Sequence, residues 1–539
     1  MSDLEKSSPS STTEEGEMKE VLTSVSHARL ILDRDLIIPE ILHCSWSGNG
    51  TTEDPYLVQW IPNDPRNAMN FSSRRKWSLT ILAAASCFAI SFASSAYTGG
   101  IQDIMTEFEV SNTIALLGVS LFVAGFAIGP LFWAPLSEIY GRQILFLGTF
   151  GALTIWNAAS AGAHTMPQLI IFRFLAGAFG SSPLTNAGGL IADMFMAGDR
   201  GLATSLFACG PFMGPVLGPI AGGFLGEKAG WRWIMALTTI LCGILWILCV
   251  IFTPETYAPV LLQHRAMALS KRTGKVYMSH LDHPNGSKTL KQAFKVGLCR
   301  PWALLFLEPI VLILSVYMAI VYATMYMLFA AYPIIFEKER GWSTGMSGLA
   351  FIGIAIGMFI AFGWMVWENQ CYKKRARTYS KGIAPPEARL PPCMIGAVLT
   401  PIGLFWFAWT NSPSIHWSIC LAGTVPFGIG NVLLYLSCMN YLIDSYVIYA
   451  ASCMAGSSVL RSLLGAAFPL FTSKMYASLG IHWASSVPAF LALTCVPFPF
   501  LFHRYGALIR KRCSYASEAQ RAVEKLLEAR KNDKGLGEI

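Results

Sequence analysis

Long uncharged apolar runs recur along the whole chain, and they fix its solvent before anything else. A bilayer core about 30 Å thick takes roughly 20 apolar residues per crossing helix. Only 13% of the 539 residues are charged and 53% are hydrophobic, whereas an ordinary soluble domain carries about 25% charged residues. Six runs fall at roughly 77–97, 113–133, 143–162, 168–193, 201–225 and 233–253, and six more at 303–335, 346–368, 391–411, 417–438, 445–472 and 481–503. The expectation is an all-α membrane protein of about twelve transmembrane helices in two six-helix halves.

Between the groups, Pro254 to Arg300 carries eight Lys/Arg and the polar run Asp282 to Ser287, which predicts a surface linker. The division is then a largely disordered N-terminal tail (1–76), a first half (77–253), a linker (254–302), a second half (303–503) and a C-terminal tail (504–539). The stretch from Ser517 to Lys531 has helical spacing and is expected to be a short solvated helix. Residues 1–40 lack the apolar core of a signal peptide, so the first span is expected to direct insertion.

The net charge of +8 comes from basic residues in the gaps between runs, not from a nucleic-acid face. With the N-terminus inside, the cytosolic flanks hold about 28 Lys/Arg against five outside, namely Lys228, Arg232, Lys338, Arg340 and Lys474. That asymmetry places both termini in the cytosol. The sequons at Asn49, Asn70 and Asn285 would then stay unglycosylated. The 13 cysteines lie mainly in apolar runs without a Cys-x-x-Cys pair, which predicts packing rather than disulfides or zinc.

Two parallel six-helix halves joined by a linker are the plan of secondary transporters, with the substrate site between the halves. The nine histidines form no intramembrane set, and no G-x-x-x-x-G-K-S/T loop occurs. A membrane enzyme and an ATP-driven pump are both disfavoured. No cofactor or metal is expected.

Four stretches carry candidate chemistry. GPLFWAPLSEIYGRQ (129–143) sets Glu138 and Arg142 at the cytosolic rim, either as a latch between conformations or as a topogenic charge cluster. In the fourth span Arg173, Gly177 and Gly180 share one helix face. An arginine there costs about 2.5–3.5 kcal/mol at the helix centre, unless it snorkels to the interface. In the fifth span Gly210, Gly214, Gly218 and Gly222 recur every four residues, followed by Pro211, Pro215 and Pro219 at the same period. The glycines lay a groove for a neighbouring helix. In the eleventh span Arg461 lies too deep to snorkel easily, leaving substrate or proton coupling or a buried ion pair.

Three further candidates are weaker. Glu308 precedes Pro309 near the start of a 33-residue run, about 50 Å as one helix, and is expected at the cytosolic interface. Tyr322, Tyr326 and Phe329, beside Met318 and Met325, suit either an adaptable substrate pocket or ordinary helix packing. Asn431 and Asn440 are polar candidates of lower weight.

The 129–143 stretch resembles the loop signature of the major facilitator superfamily, with Gly141 and Arg142 in place, Glu138 for Asp, Ala134 for the first Gly, Ile139 for the first basic residue and Gln143 for the basic residue after Gly-Arg. The resemblance implies Asp193 as the partner of Arg142, and a part in proton coupling for Arg173. The fifth-span run is similar to the antiporter motif of drug-exporting facilitators, where the Gly-Pro face is thought to seal the outward path. Together with NDPRNAMNFSSRRKW, PETYAPVLLQHRA, APPEARLPP, NYLIDSYVIYAAS and LRSLLGAAFPLF, these motifs resemble fungal twelve-span drug:proton antiporters, including multidrug, polyamine and secondary-metabolite exporters. The resemblance implies a monomer in the plasma membrane, or alternatively the vacuolar membrane, exchanging a small organic molecule for protons. The alternative is a nutrient or polyamine uptake facilitator or sensor of the same fold. The first span offers no acid as proton carrier; Asp193, Glu308 and Asp444 all fall near span ends.

Overall fold

A computed structural model describes residues 26–282, 290–378 and 384–522. Its helices in chain order are α1 (His27–Leu32), α2 (Pro39–His43), α3 (Ser73–Ala96), α4 (Ile101–Phe108), α5 (Asn112–Tyr140), α6 (Arg142–Ala161), α7 (Met166–Met194), α8 (Ala197–Ala229), α9 (Trp231–Phe252) and α10 (Ala258–Thr273). There follow α11 (Leu290–Leu307), α12 (Pro309–Tyr332), α13 (Thr344–Leu349), α14 (Ile352–Thr378), α15 (Pro391–Thr410), α16 (Trp417–Ser445), α17 (Ala450–Cys495) and α18 (Pro497–Arg512). The all-helical membrane architecture is as expected.

Ten segments among the described residues are long and apolar enough to cross a membrane, against about twelve expected. The difference has two sources. Val447–Arg512 runs together two of the expected spans, yet α17 is broken at Gly480, whose backbone (φ 74°, ψ 170°) matches the helix-to-helix turns at Gly141 (φ 91°, ψ 161°) and Gly230 (φ 87°, ψ 167°). Only glycine enters that region at little cost. Met166–Met194 is a 29-residue helix outside the ten; Arg173, Ser181, Ser182, Thr185 and Asn186 dilute its hydropathy.

Each half packs its first long helix on its fifth: α3 on α8, and α12 on the Arg461 stretch of α17. The halves meet where α5 lies along α17 and where α8 meets α13 and α14. One end of the bundle carries the linker; the opposite end is the far end.

The glycine groove of α8 is filled by α3. A methyl group at Gly210, Gly214, Gly218 or Gly222 would stand 2.2 Å from Ala84 O, 2.6 Å from Phe92 N, 2.0 Å from Ser95 Oγ or 2.1 Å from Ala96 O. The helix thus lacks side chains there because a backbone occupies their place. A different flank of α8 meets the second half at the far end. A methyl group at Gly348 would stand 2.3 Å from Pro219 O, and one at Gly223 2.8 Å from Thr344 O.

Two expectations change. The 303–335 run is not one helix, because Pro309 breaks it and leaves Glu308 extended (φ −111°, ψ 101°) between α11 and α12. Residues 26–72, expected to belong to a largely disordered tail, fold against the linker at its end of the bundle. There β1 (Tyr56–Val58) pairs in parallel with β2 (Tyr277–Ser279), and Leu30, Leu36, Ile38, Ile41 and Val58 share a small core with Leu262, Ala266 and Leu269 of α10. The buried Arg265 pairs with the buried Asp64 at 2.6 Å. Burial also lowers the Arg66 guanidinium to about 10. Residues 1–25, the sequon at Asn285 and the end of the Ser517–Lys531 stretch lie outside the described residues; that stretch is helical through Arg521 and Ala522.

Candidate functional site between the halves

Arg173 does not snorkel. Its side chain is fully buried, and all three guanidinium nitrogens donate to backbone carbonyls: Nε to Gly118 at 3.1 Å, and the two terminal nitrogens to Ala93 at 2.8 Å and Ser94 at 3.0 Å. The Tyr97 and Phe122 rings lie 4.9 and 4.3 Å from its carbon. Arg173 of α7 therefore holds α3 to α5, through carbonyls that their own helices leave half-used.

From Ser94 a polar path crosses to the second half. The Ser94 hydroxyl lies 3.0 Å from the Tyr326 hydroxyl, and Tyr322 donates to Tyr326 at 3.3 Å. The Arg461 guanidinium sits 4.7 Å from the Tyr322 ring centre and 5.0 Å from that of Tyr435, and donates to the Tyr435 hydroxyl. Phe212 of α8 packs edge-on against Tyr435 at 5.0 Å and against Phe362 at 6.3 Å. Tyr322, Tyr326 and Arg461 are thus brought together; Phe329 and Asn431 are not part of this path. Phe329 packs against Phe351 and Tyr326, and Asn431 donates to the Met325 sulfur at 3.5 Å.

A pocket opens at the linker end between the halves, lined by Gly201, Ser205, Met365, Glu368, Arg389, Ser437 and Asn440, among others. Along α8, α14 and α16 these residues lie closer to the linker end than Phe212, Phe362 and Tyr435. The aromatic trio therefore separates the pocket from Arg461. At the far end the interface is closed by the Gly348 and Gly223 contacts, by Gly345 N–H donating to Glu227 at 3.0 Å, and by Asn112 donating to Ser473 at 3.0 Å.

Arg142 pairs with Asp193 at 2.6 Å, and Thr256 donates to the same carboxylate at 3.2 Å. Glu138 is exposed, and the ion pair of Arg142 goes to Asp193 instead. The second half repeats the device, with Arg389 on Asp444 at 2.9 Å and Arg510 on Glu387 at 2.8 Å. In the first half, burial pushes the Tyr257 phenol, whose ring lies 4.8 Å from the Arg142 guanidinium, up to about 12. Glu308 lies at the linker end, as expected, but buried within the protein there; it accepts from the Tyr446 hydroxyl at 2.9 Å and from Tyr515 N–H at 2.8 Å.

Sequence reasoning passed over Glu255, Ser94, Phe212 and Tyr435. Glu255 is buried and accepts from the N–H groups of Arg142, Gln143, Thr256 and Tyr257 at 2.9–3.1 Å, capping α6 with a negative charge. Its signal was an acid just past an apolar run. The other three lie in uncharged runs and give none.

Residues 81–469 match the model of the Major Facilitator Superfamily. The chain is 59% identical over 94% of its length, and 83% of the relative's, to the major facilitator superfamily multidrug transporter mdrA of Aspergillus fumigatus. It is 58% identical to the MFS-type efflux pump MFS2 of Trichophyton rubrum, over 96% and 86% of the two chains. To the efflux pump FUB11 of Gibberella moniliformis it is 53% identical, over 89% and 81%. The structure of the proton:xylose symporter XylE superposes with a TM-score of 0.59 at 16% identity, covering 80% of this chain and 97% of that one, and supports the fold alone. The chain is a multi-pass membrane transporter, not an enzyme, and belongs to the major facilitator superfamily.

Proposed function

We propose that this transporter exports small organic molecules by alternating access, with protons moving in exchange. The observation that carries the reading is the asymmetry of the interface between the halves: glycine contacts close it at the far end, while the linker end holds a pocket between the halves, on the linker side of Phe212, Phe362 and Tyr435. The lysine and arginine distribution assigns the linker end, and both termini, to the cytosol. The pocket then faces the compartment from which an exporter loads. The relatives' names, multidrug transporter and efflux pump, agree with that direction.

In the cycle, the Arg142–Asp193 and Arg389–Asp444 pairs are the contacts that must rearrange at the linker end. Arg173 keeps α3 and α5 fixed to α7, and the α3–α8 glycine seam moves as one body. The acids able to carry a proton are Asp193, Glu308 and Asp444. Drugs, toxins, polyamines and secondary metabolites are the candidate cargo, and a monomer in the plasma membrane is the expected unit. Reconstitution into proteoliposomes tests the coupling: outward flux should accelerate when an inward proton gradient is imposed. Flux indifferent to the gradient would remove proton exchange, and a deletion strain with unchanged accumulation across a panel of drugs, polyamines and endogenous metabolites would remove export.

A further inference from the structure

Most buried charges in this fold are matched by a partner. Asp64 has Arg265, Glu255 has four N–H donors, Glu308 has Tyr446 and Tyr515, and Arg173 has three carbonyls. At the linker end of the second half, Asp444 is committed to Arg389, Glu387 to Arg510 and Glu368 to Arg375. Arginines near the ends of the bundle, Arg66 and Arg75 among them, also keep buried nitrogens without a partner, but Arg461 does so within a membrane-spanning helix, beside the interface of the halves. Among the described residues it reaches only the Tyr435 hydroxyl and, at 3.5 Å, Ser458 Oγ, and its Nε is buried without a hydrogen-bond partner. The rings of Tyr322 and Tyr435 flank it at 4.7 and 5.0 Å, and among the described residues no carboxylate forms an ion pair with it.

A guanidinium has five donors in a planar fork, matched to a carboxylate. Leaving such a charge partnered by one phenol and one serine in the interior of a membrane protein is costly. The Tyr322 and Tyr435 rings beside it, and Phe212 and Phe362 beyond, add flat apolar walls. We propose, building on the export reading above, that Arg461 anchors an anionic group of the cargo, so that the substrates are organic acids with a flat apolar body. The Tyr435 hydroxyl holds the place of that anion. A carboxylate entering from the linker-end pocket as the Phe212–Tyr435 contact parts accepts two guanidinium N–H groups and displaces it. Because the Tyr435 ring packs on Phe212 of the other half, loading Arg461 alters a contact between the halves. A cationic molecule is repelled at this position, and a neutral one leaves the charge unmatched.

The test uses the purified full-length chain and three matched pairs of probes: benzoate, 2-naphthoate and indole-3-acetate, each against its primary amide. Calorimetry should show the carboxylates binding about ten- to a hundredfold more tightly than the amides, the scale of a charged hydrogen-bond pair. Arg461→Gln should erase that preference, chiefly by weakening the carboxylates, and Arg461→Lys should restore part of it. A thermal midpoint for the lysine variant near that of the unsubstituted chain establishes that the site is folded. A preference for amides over carboxylates, or one for carboxylates that survives in Arg461→Gln, overturns the proposal. Flux separates it from the export reading. Arg461-dependent carboxylate binding without outward flux in proteoliposomes leaves the anion site standing and overturns export. Outward flux of other molecules, with no carboxylate bound, leaves export standing and overturns the anion site.

Discussion

Two arginines enter the apolar interior, one from each half, and the protein treats them in opposite ways. Arg173 spends its guanidinium on three carbonyls of α3 and α5 and is shut from solvent. Arg461 is only partly covered and bonded to side chains that rotate easily, Tyr435 and Ser458. Backbone carbonyls cannot move without moving helices, whereas a tyrosine hydroxyl can swing away. The first arginine is therefore a fastener and the second a contact that can be exchanged. Residue type and depth alone do not separate these roles; the partner does.

The comparison can be broken most directly at Arg173. Arg173→Met removes three hydrogen bonds from a charged donor, each worth about 1.5–3 kcal/mol, so a loss of about 3 kcal/mol or more is expected, read as a collapse in thermal midpoint and in yield of monodisperse protein. Arg461→Met should leave the same melt nearly unchanged or raise it, since it removes a poorly matched buried charge. Equal losses for the two variants would erase the distinction between fastener and exchangeable contact.

Gly214→Leu falls between these two in stability. Overpacking the α3–α8 seam costs about 1–3 kcal/mol, and efflux from cells should be abolished; intact efflux would detach the glycine face from transport. The smallest effects are expected at the paired latches. Asp193→Asn and Asp444→Asn break partly exposed ion pairs worth about 0–1 kcal/mol, leaving the melt nearly unchanged. Their signature should appear instead as altered flux, with the double variant exceeding either single one. Two singles that each match the double would show that the halves unlock together.

How much of this was legible follows from what each signal depends on. Hydropathy is local, so spans such as Trp231–Phe252 stand out from residue order alone. It fails where polar residues are drawn into a helix for packing, as in Met166–Met194, and where two helices meet at a glycine, as at Gly480. The period of Gly210 to Gly222 revealed a groove, but nothing local names α3 as its occupant. Arg173 announced a cost without naming its compensation, because Ala93, Ser94 and Gly118 contribute backbone atoms, which every residue has. The Arg142–Asp193 pair came from resemblance, and the geometry brings the two side chains to 2.6 Å. Residues 26–72 looked like tail because no apolar run among them is long enough to span a bilayer and their partner, the linker strand, lies far along the chain. Tyr435 was silent because an uncharged residue in an apolar run looks like any other core residue until a cation is seen beside it.

The small parallel ladder at the linker end sets a timing for assembly. Tyr56 pairs with Tyr277 and Val58 with Ser279, so the first strand leaves the ribosome about 220 residues ahead of its mate. At roughly 5–20 residues per second, it waits on the order of ten to forty seconds, while the whole first half is made. Closure of that ladder, with Asp64 reaching Arg265, can only follow once the chain through α9 has been synthesised. The amino-terminal segment thus acts as a clasp that fastens last over a finished half, and a nascent chain arrested before residue 277 should still present it to protease.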